Sequence, residues 1–507
     1  MSGNARAPLA AITQLNGTGP RLQQVAIEIL PDEVLLDIFS FYVDEADKED
    51  EWHTLVHVCQ RWRNLVFASP RRLHLTLVYS PRRPVGEMLD LWPALPIVIQ
   101  LGSHESLFEL RKWGWRMERG HNIIVALKYH KRICRIAGSH LLVWNKEQLA
   151  AGMCRPFPML TSLQLSEAAH TETHLPDSFL GGSAPRLRTL ALIGISFPAL
   201  PNLLLSAHDL IHLDLWDIPD SALIPSDQMV VCLSTLTRLR TLYLGFRSDL
   251  PGGTGRRLPP LRRFVLHGLT TLWFSGSSEY LEDFISRIDA PQLNDIDITF
   301  SDLFTLDTPQ FVQFIDHTEM PSFNRATLRL YRNCVEVTLS SENLSVDQQS
   351  VRLRVSWEKS DWQMTSPLAL CRLSLPLPLL CILEYLDFYD HANQWRHSAD
   401  HTQWLEFLHL FPSVKSLSLS NGFTLPIMTA LGELVGGRVL DVLPVLQNVC
   451  LHWRGPLGPL QEPVGLFIAT RKLSGHPVAI HRVEPGDWIE DACGGREMKS
   501  ALRFLSH

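Results

Sequence analysis

The chain has 507 residues, 45% of them hydrophobic and 20% charged, with 53 acidic against 46 basic side chains and a net charge of −7. That composition belongs to a globular protein with room for more than one domain, and the negative balance argues against nucleic acid or an anionic membrane as the main partner. The nine cysteines are scattered and contain no Cys-x-x-Cys pair, so neither a zinc ribbon nor a disulfide framework is indicated and a reducing compartment, cytoplasm or nucleus, is expected.

Residues 1–24 lack a basic start followed by an apolar run, and their Gly, Ala, Asn and Thr content predicts a disordered leader. A helical unit is expected over residues 25–72. Pro31 suits the first turn of a helix, followed by Asp32 and Glu33 at the end where the dipole favours negative charge. Val34, Leu35, Ile38 and Phe39 then recur at helical spacing. The run from Asp44 to Glu51 reads as a solvated loop. Leu55, Val56, Val58, Cys59, Trp62, Leu65 and Val66 predict two further short helices broken near Cys59, with Pro70 closing the unit. Three short helices bury little by themselves, so the unit is expected to complete its burial against a partner or the rest of the chain.

This stretch resembles an F-box. Leu30-Pro31-x-Glu33-Val34-Leu35 is similar to the family's opening, and Val58-Cys59-x-Arg61-Trp62-x-x-Leu65-Val66 to its third helix. The resemblance implies docking on the SKP-type adaptor of a cullin–RING ubiquitin ligase. It nominates Leu30, Pro31, Val34, Leu35, Ile38, Phe39, Cys59, Trp62 and Leu65 as adaptor-binding, with Trp62 and Leu35 as dominant anchors. Some of these must also hold the three helices together, and the sequence does not divide the two jobs.

From residue 73 to 482 one phrase returns, Pro-x-Leu-x-x-Leu-x-Leu. It is clearest at Phe157–Leu165, repeats at Ala184–Leu192, His208–Leu215 and Leu239–Leu244, is looser at Leu261–Leu266 and Pro291–Ile298, and comes again at Ala326–Leu330, Phe411–Leu419 and Leu443–Leu451. Val351–Val355 and Leu383–Phe388 are expected to continue it, and Leu73–Tyr79, Ile97–Gln100 and Arg132–Ile136 to precede it as strands. The final Leu-x-Leu places two apolar side chains on one face of a short strand. The residues between strands can return the chain, and stacked units bury what one unit cannot. An α/β fold follows: a curved solenoid with a parallel sheet. The repeats resemble the leucine-rich repeats that follow many F-boxes, although most copies lack the asparagine that usually follows the strand. The pairing is similar to a fungal family of F-box proteins, through Val58–Arg63, Ala68–Leu73 and Leu91–Ile97.

The middle residue of each Leu-x-Leu points away from the core. This nominates Gln164, Asp214, Tyr243, Asp297, Arg329 and Arg354 for binding a target protein, with Ala191, Val265, Ser418 and Cys450 as further positions. Gly455–Pro463 reads as a turn, Pro477–Ile480 as a last edge strand and residues 483–507 as a tail or cap.

Catalytic patterns do not emerge. His53-x-x-x-His57 lacks a metalloprotease glutamate, His397-x-x-x-His401 lies in a polar stretch, and Gly252–Arg257 lacks the Gly-Lys-Ser/Thr ending of a phosphate loop. Arg256, Arg257, Arg262 and Arg263 read as a solvated basic face. Leu368–Leu386 is interrupted by Arg372, Pro376, Pro378 and Glu384, which excludes a membrane span there. No cofactor, metal, nucleic acid or membrane is expected. The resemblance to F-box proteins implies a non-catalytic receptor subunit of a ubiquitin ligase, with an F-box/repeat scaffold that degrades no target as the alternative.

Overall fold

In a computed structural model of the chain, the described residues are 27–45, 52–70, 72–73, 75–79, 95–101, 123–139, 146–167, 173–247, 263–300, 309–318, 323–331, 334–341, 350–356, 382–390, 400–434, 436–452 and 458–482. The expected leader, the acidic run beyond Glu45, Gly252–Arg257, Arg262, His397 and the tail from 483 lie outside them. The chain divides into two compact units, Met1–Thr76 and Leu77–His507.

The first unit contains α1 (Asp32–Glu45), α2 (Trp52–Val58) and α3 (Gln60–Ala68). The Leu35 amide donates to the Pro31 carbonyl at 3.0 Å, so Pro31 sits just ahead of the helix and Asp32 and Glu33 fill its first turn. Asp44 and Glu45, read as loop, are the last two residues of α1. The break between α2 and α3 falls at Cys59, whose backbone is extended and whose Sγ accepts from the Trp62 amide. Leu35, Leu36, Phe39, Trp52, Leu55, Val56 and Val66 are buried. Phe39 and Trp62 hold their rings 4.6 Å apart, and Trp52 Nε1 donates to the Thr76 carbonyl at 2.8 Å.

The second unit is a mostly parallel α/β body. In chain order its strands are β1 (Leu77–Tyr79), β2 (Ile97–Leu101), β3 (Ile133–Ser139), β4 (Ser162–Ser166), β5 (Thr173–His174), β6 (Thr189–Ile193), β7 (Ile195–Ser196), β8 (His212–Ile218), β9 (Thr241–Phe246) and β10 (Phe264–Val265). Then come β11 (Thr271–Gly276), β12 (Ile288–Asp289), β13 (Asp295–Phe300), β14 (Arg325–Leu330), β15 (Cys334–Ser340), β16 (Ser350–Ser356), β17 (Tyr385–Asp390), β18 (Ser416–Ser420), β19 (Asn448–His452) and β20 (Ala479–Arg482). Sixteen form one sheet, ordered β1-β2-β3-β4-β6-β8-β9-β11-β13-β16-β15-β14-β17-β18-β19-β20.

The recurring phrase has a local physical meaning. Its first leucine closes a tight turn by donating three residues back, as in Leu160 to Phe157, Leu187 to Ala184, Leu210 to Ala207, Leu269 to Leu266 and Leu293 to Ala290. Each of these leucines is buried. The following Leu-x-Leu then alternates, with Leu163 and Leu165, Leu190 and Leu192, and Leu213 and Leu215 buried in one core. Helices Ser226–Ser234, Ser278–Ile285, Pro309–Asp316, His401–Leu408 and Asn421–Gly432 send buried side chains into the same core.

The residue just before each strand donates to its counterpart in the preceding one: Arg188 to Thr161 at 2.7 Å, then Ile211 to Arg188, Arg240 to Ile211 and Thr270 to Arg240 at 2.8 Å, and Asn294 to Thr270 at 2.9 Å. At the entrance to each of these strands, backbone groups thus satisfy one another.

Three further expectations are corrected. The Leu261–Leu266 copy is not a main-sheet strand: Phe264 and Val265 pair with Ile288 and Asp289 in a separate two-stranded sheet, and Val265 is 45% exposed. The main-sheet strand of that repeat is β11, on Leu269-Thr-Thr-Leu272-Trp273-Phe274. The sheet is not wholly parallel, nor does β14 follow β13 in space. Antiparallel β15 pairs with β14 and β16, which puts β16 beside β13 and β17 beside β14. Gly458–Pro463 is not a turn but the start of a helix to Leu473, which buries Leu460 and Phe467. That burial outweighs the hydrogen bond Pro463 forgoes.

Candidate functional site

Two surfaces carry side chains whose exposure or chemistry exceeds what folding requires. The first is on α1. Leu35, Leu36 and Phe39 point into the helical core, whereas Val34, Ile38, Phe41 and Tyr42 recur three and four residues apart on another side and are 38% to 64% exposed. Ile27, Ile29 and Val58 are also exposed. A helix apolar on two sides has one side for its own core and one for something else, and clustered exposed apolar residues of this kind mark interaction surfaces.

The nominated adaptor residues separate accordingly. Val34 and Ile38 lie on the exposed stripe, while Leu35 and Phe39 are at most 1% exposed. Trp62 is half-buried against Phe39, Leu65 is half-buried and Cys59 is exposed as the cap of α3. Pro31 is exposed and Leu30 half-buried, its carbonyl accepting from Arg61 Nη2 at 2.6 Å, with Asp32 Oδ1 on the same guanidinium. Phe41, Tyr42 and Val58 were not nominated. The spacing Val34, Ile38, Phe41, Tyr42 was the signal that could have found the α1 pair.

The second surface is the sheet face opposite the leucines. Strand register aligns Gln164, Ala191, Asp214, Tyr243, Trp273, Asp297, Arg352, Thr338, Thr327, Asp387, Ser418 and Cys450 in one row. The structure therefore brings Gln164, Asp214, Tyr243 and Asp297 together. Arg329 and Arg354 lie on the next row, where each is the register partner of Glu336. Val265 is on neither.

The middle of the face is an ion network. Arg354 Nη2 meets Glu336 Oε2 at 2.9 Å and Arg329 Nη1 meets Glu336 Oε1 at 3.0 Å. Arg352 Nη1 meets Asp297 Oδ2 at 2.8 Å, and Arg325 Nη1 meets Asp387 Oδ2 at 3.1 Å. Burial pushes the carboxyls of Asp297 and Asp387 up, against the opposing pull of Arg352 and Arg325 respectively. Burial also acts against the Glu336 carboxylate, but Arg354, Arg352 and Arg329 together outweigh it and hold the group below its ordinary range. Arg329 and Arg354 are thus partly committed inside the chain. Ser418 Oγ is hydrogen-bonded to His452 Nε2 at 2.8 Å at the far end of the row.

Beside the network, Tyr243 and Trp273 stack with centroids 4.7 Å apart and planes 27° from parallel. Next to Tyr243, Asp214 Oδ1 is sealed from solvent and makes no hydrogen bond among the described residues. Burial alone drives the Asp214 carboxyl up to about 7. Trp273, Arg352, Glu336 and Asp387 were not nominated. Trp273 was readable, because Leu269-x-x-Leu272-x-Phe274 is the phrase with phenylalanine in its last place.

No group of three or more metal-ligating side chains occurs among the described residues. His53 packs on Trp52 at 4.0 Å, His401 bonds Glu433 at 2.6 Å, and Arg263 bridges Asp289 at 3.2 Å. No described helix is long and apolar enough to cross a membrane.

Compared with known families, residues 27–74 match the F-box-like family model. The match spans the helical unit and stops before the sheet body. No curated protein matches the chain.

Proposed function

We propose that this chain is the substrate-recognition subunit of an SCF-type cullin–RING ubiquitin ligase. In this reading residues 25–72 bind the SKP-type adaptor, and residues 73–482 form a leucine-rich-repeat-like solenoid that binds a target protein, between a leader (1–24) and a tail or cap (483–507). The chain does no bond chemistry and needs no cofactor. It holds a target near the conjugating enzyme, so its contribution is proximity.

The observation that carries the reading is the exposed stripe Val34, Ile38, Phe41 and Tyr42 within the residues that match the F-box-like model. An adaptor would bury what the helical core leaves out. Leu35 and Phe39 then act as the core that holds the stripe in place, and Trp62 as a support that braces Phe39. Polar and aromatic side chains on the leucine-free sheet face support target binding there. Free thiols at Cys59, Cys134, Cys154, Cys232, Cys334 and Cys450 fit a cytoplasmic or nuclear site.

The test is co-purification of the full chain with adaptor and cullin. Wild type should retain both, and Ile38→Asp with Phe41→Asp should lose both while keeping its helical content. Wild type that retains neither sinks the reading. Retention of both, with no bound protein ever ubiquitinated, would instead establish a non-degradative scaffold.

A further inference from the structure

Three neighbouring positions of the sheet row present an unsatisfied acceptor, an aromatic wall and an unsatisfied donor. Asp214 Oδ1 and Trp273 Nε1 are both buried and without a hydrogen-bond partner among the described residues. Tyr243 stands between them in register, stacked on Trp273. Buried polar atoms are ordinarily paired, and each exception asks for a ligand or a reason. These two belong to one row and stand two strands apart, about 10 Å at the backbone.

The charges nearby are spent elsewhere. Asp297, on the far side of Trp273, is held by Arg352. Arg247 bridges Asp217, and His212 is hydrogen-bonded to Thr241. Asp214 forms no ion pair among the described residues, and burial is the one influence on its carboxyl. Its neighbour on the other side is Ala191, whose methyl group leaves side-chain room in the row next to Gln164.

A carboxylate beside a ring stack selects for positive charge. The aromatic faces attract a cation and the carboxylate supplies its counter-charge. Guanidinium fits better than ammonium, because it is planar, stacks on rings and gives up hydration more readily. We infer that Asp214, Tyr243 and Trp273 receive a basic side chain of the bound target, arginine ahead of lysine, which Asp214 meets through Oδ2, the carboxylate oxygen that is not sealed. This rests on the reading that the target binds this sheet face.

The test selects short random peptides on the full-length chain with its adaptor bound. Selected peptides should share an arginine, and replacing it by uncharged citrulline should weaken binding about tenfold or more. Asp214→Asn should cause the same loss while remaining folded, and Trp273→Leu, which removes the stacked ring, a several-fold loss. Ala191→Arg, which fills the row, should abolish binding. Peptides blocked by Ala191→Arg but lacking a basic residue, or indifferent to Asp214→Asn, would overturn the inference and leave the target face standing. Peptides unaffected by any of these variants, or recovery of no peptide at all, would overturn both. Lysine selected as strongly as arginine would overturn the preference for guanidinium.

Discussion

Asp214→Asn tests the electrostatics of the sheet face most directly, through stability. The carboxyl titrates at 3.8 when unfolded and at about 7 when folded, because burial penalises its charge. Below pH 3.8 both states hold the proton and the group contributes nothing. As pH rises from 3.8 to 7 the unfolded state releases the proton first, so stability falls by about 1.4 kcal/mol per pH unit. The loss reaches a ceiling of roughly 4 kcal/mol above pH 7 and stays constant beyond it. Asparagine has the same shape and no proton to lose. The variant should therefore exceed wild type by roughly 2 kcal/mol at pH 5 and roughly 4 kcal/mol at pH 8. At about 2.1 cal/mol/K per residue, a unit of about 430 residues converts these into gains in Tm of roughly 2 and 4 °C at a fixed scan rate. His212, Arg240 and the Asp217–Arg247 pair are common to both proteins and cancel in the difference. Equal shifts at both pH values, or a variant less stable than wild type at pH 8, would refute the reasoning.

Three further outcomes are expected. Leu35→Asp, which charges a fully buried position, should unfold the helical unit in circular dichroism, whereas Ile38→Asp should leave it folded and weaken adaptor binding by roughly 2 to 4 kcal/mol in calorimetry; identical behaviour of the two would deny the division of α1 into a core side and a docking side. Arg471, with 0% exposure, donates to the carbonyls of Val442 at 2.9 Å and Leu443 at 2.7 Å, where Leu443 has φ of 49°. Arg471→Met should cost roughly 3 kcal/mol in denaturant unfolding, and Arg471→Lys should not restore it, lacking the planar fork; a loss under about 1 kcal/mol would contradict this. Glu336→Gln should destabilise by roughly 3 kcal/mol at pH 7, as it leaves Arg329 and Arg354 without their counter-charge. Because the Glu336 carboxyl is held low when folded, its contribution is present above the unfolded value of 4.5 and lost as pH falls through the folded one. The variant and wild type should therefore converge in acid, and a gap that persists there would count against the network.

What the sequence determined by itself is local. Leu-x-x-Leu-x-Leu specifies a turn closed on its first leucine and a strand with one apolar face, because both depend only on neighbours in the chain. Cys59 as the break between α2 and α3 was legible for the same reason. Tertiary structure decided what depends on distant residues. Period two says which face Ile296 and Leu328 occupy, not which strand lies beside which, and the β14-β15-β16 excursion was therefore invisible. It is this excursion that puts Arg352 beside Asp297, 55 positions away, and Glu336 between Arg329 and Arg354. The two apolar sides of α1 read as one hydrophobic pattern until the packing of Trp52, Leu55 and Val66 chose Leu35 and Phe39 for the core. Asp214 could be placed on the sheet face from its position alone. That its Oδ1 would be buried there without a partner was settled only by the folded chain, because burial is set by neighbours the local sequence does not contain.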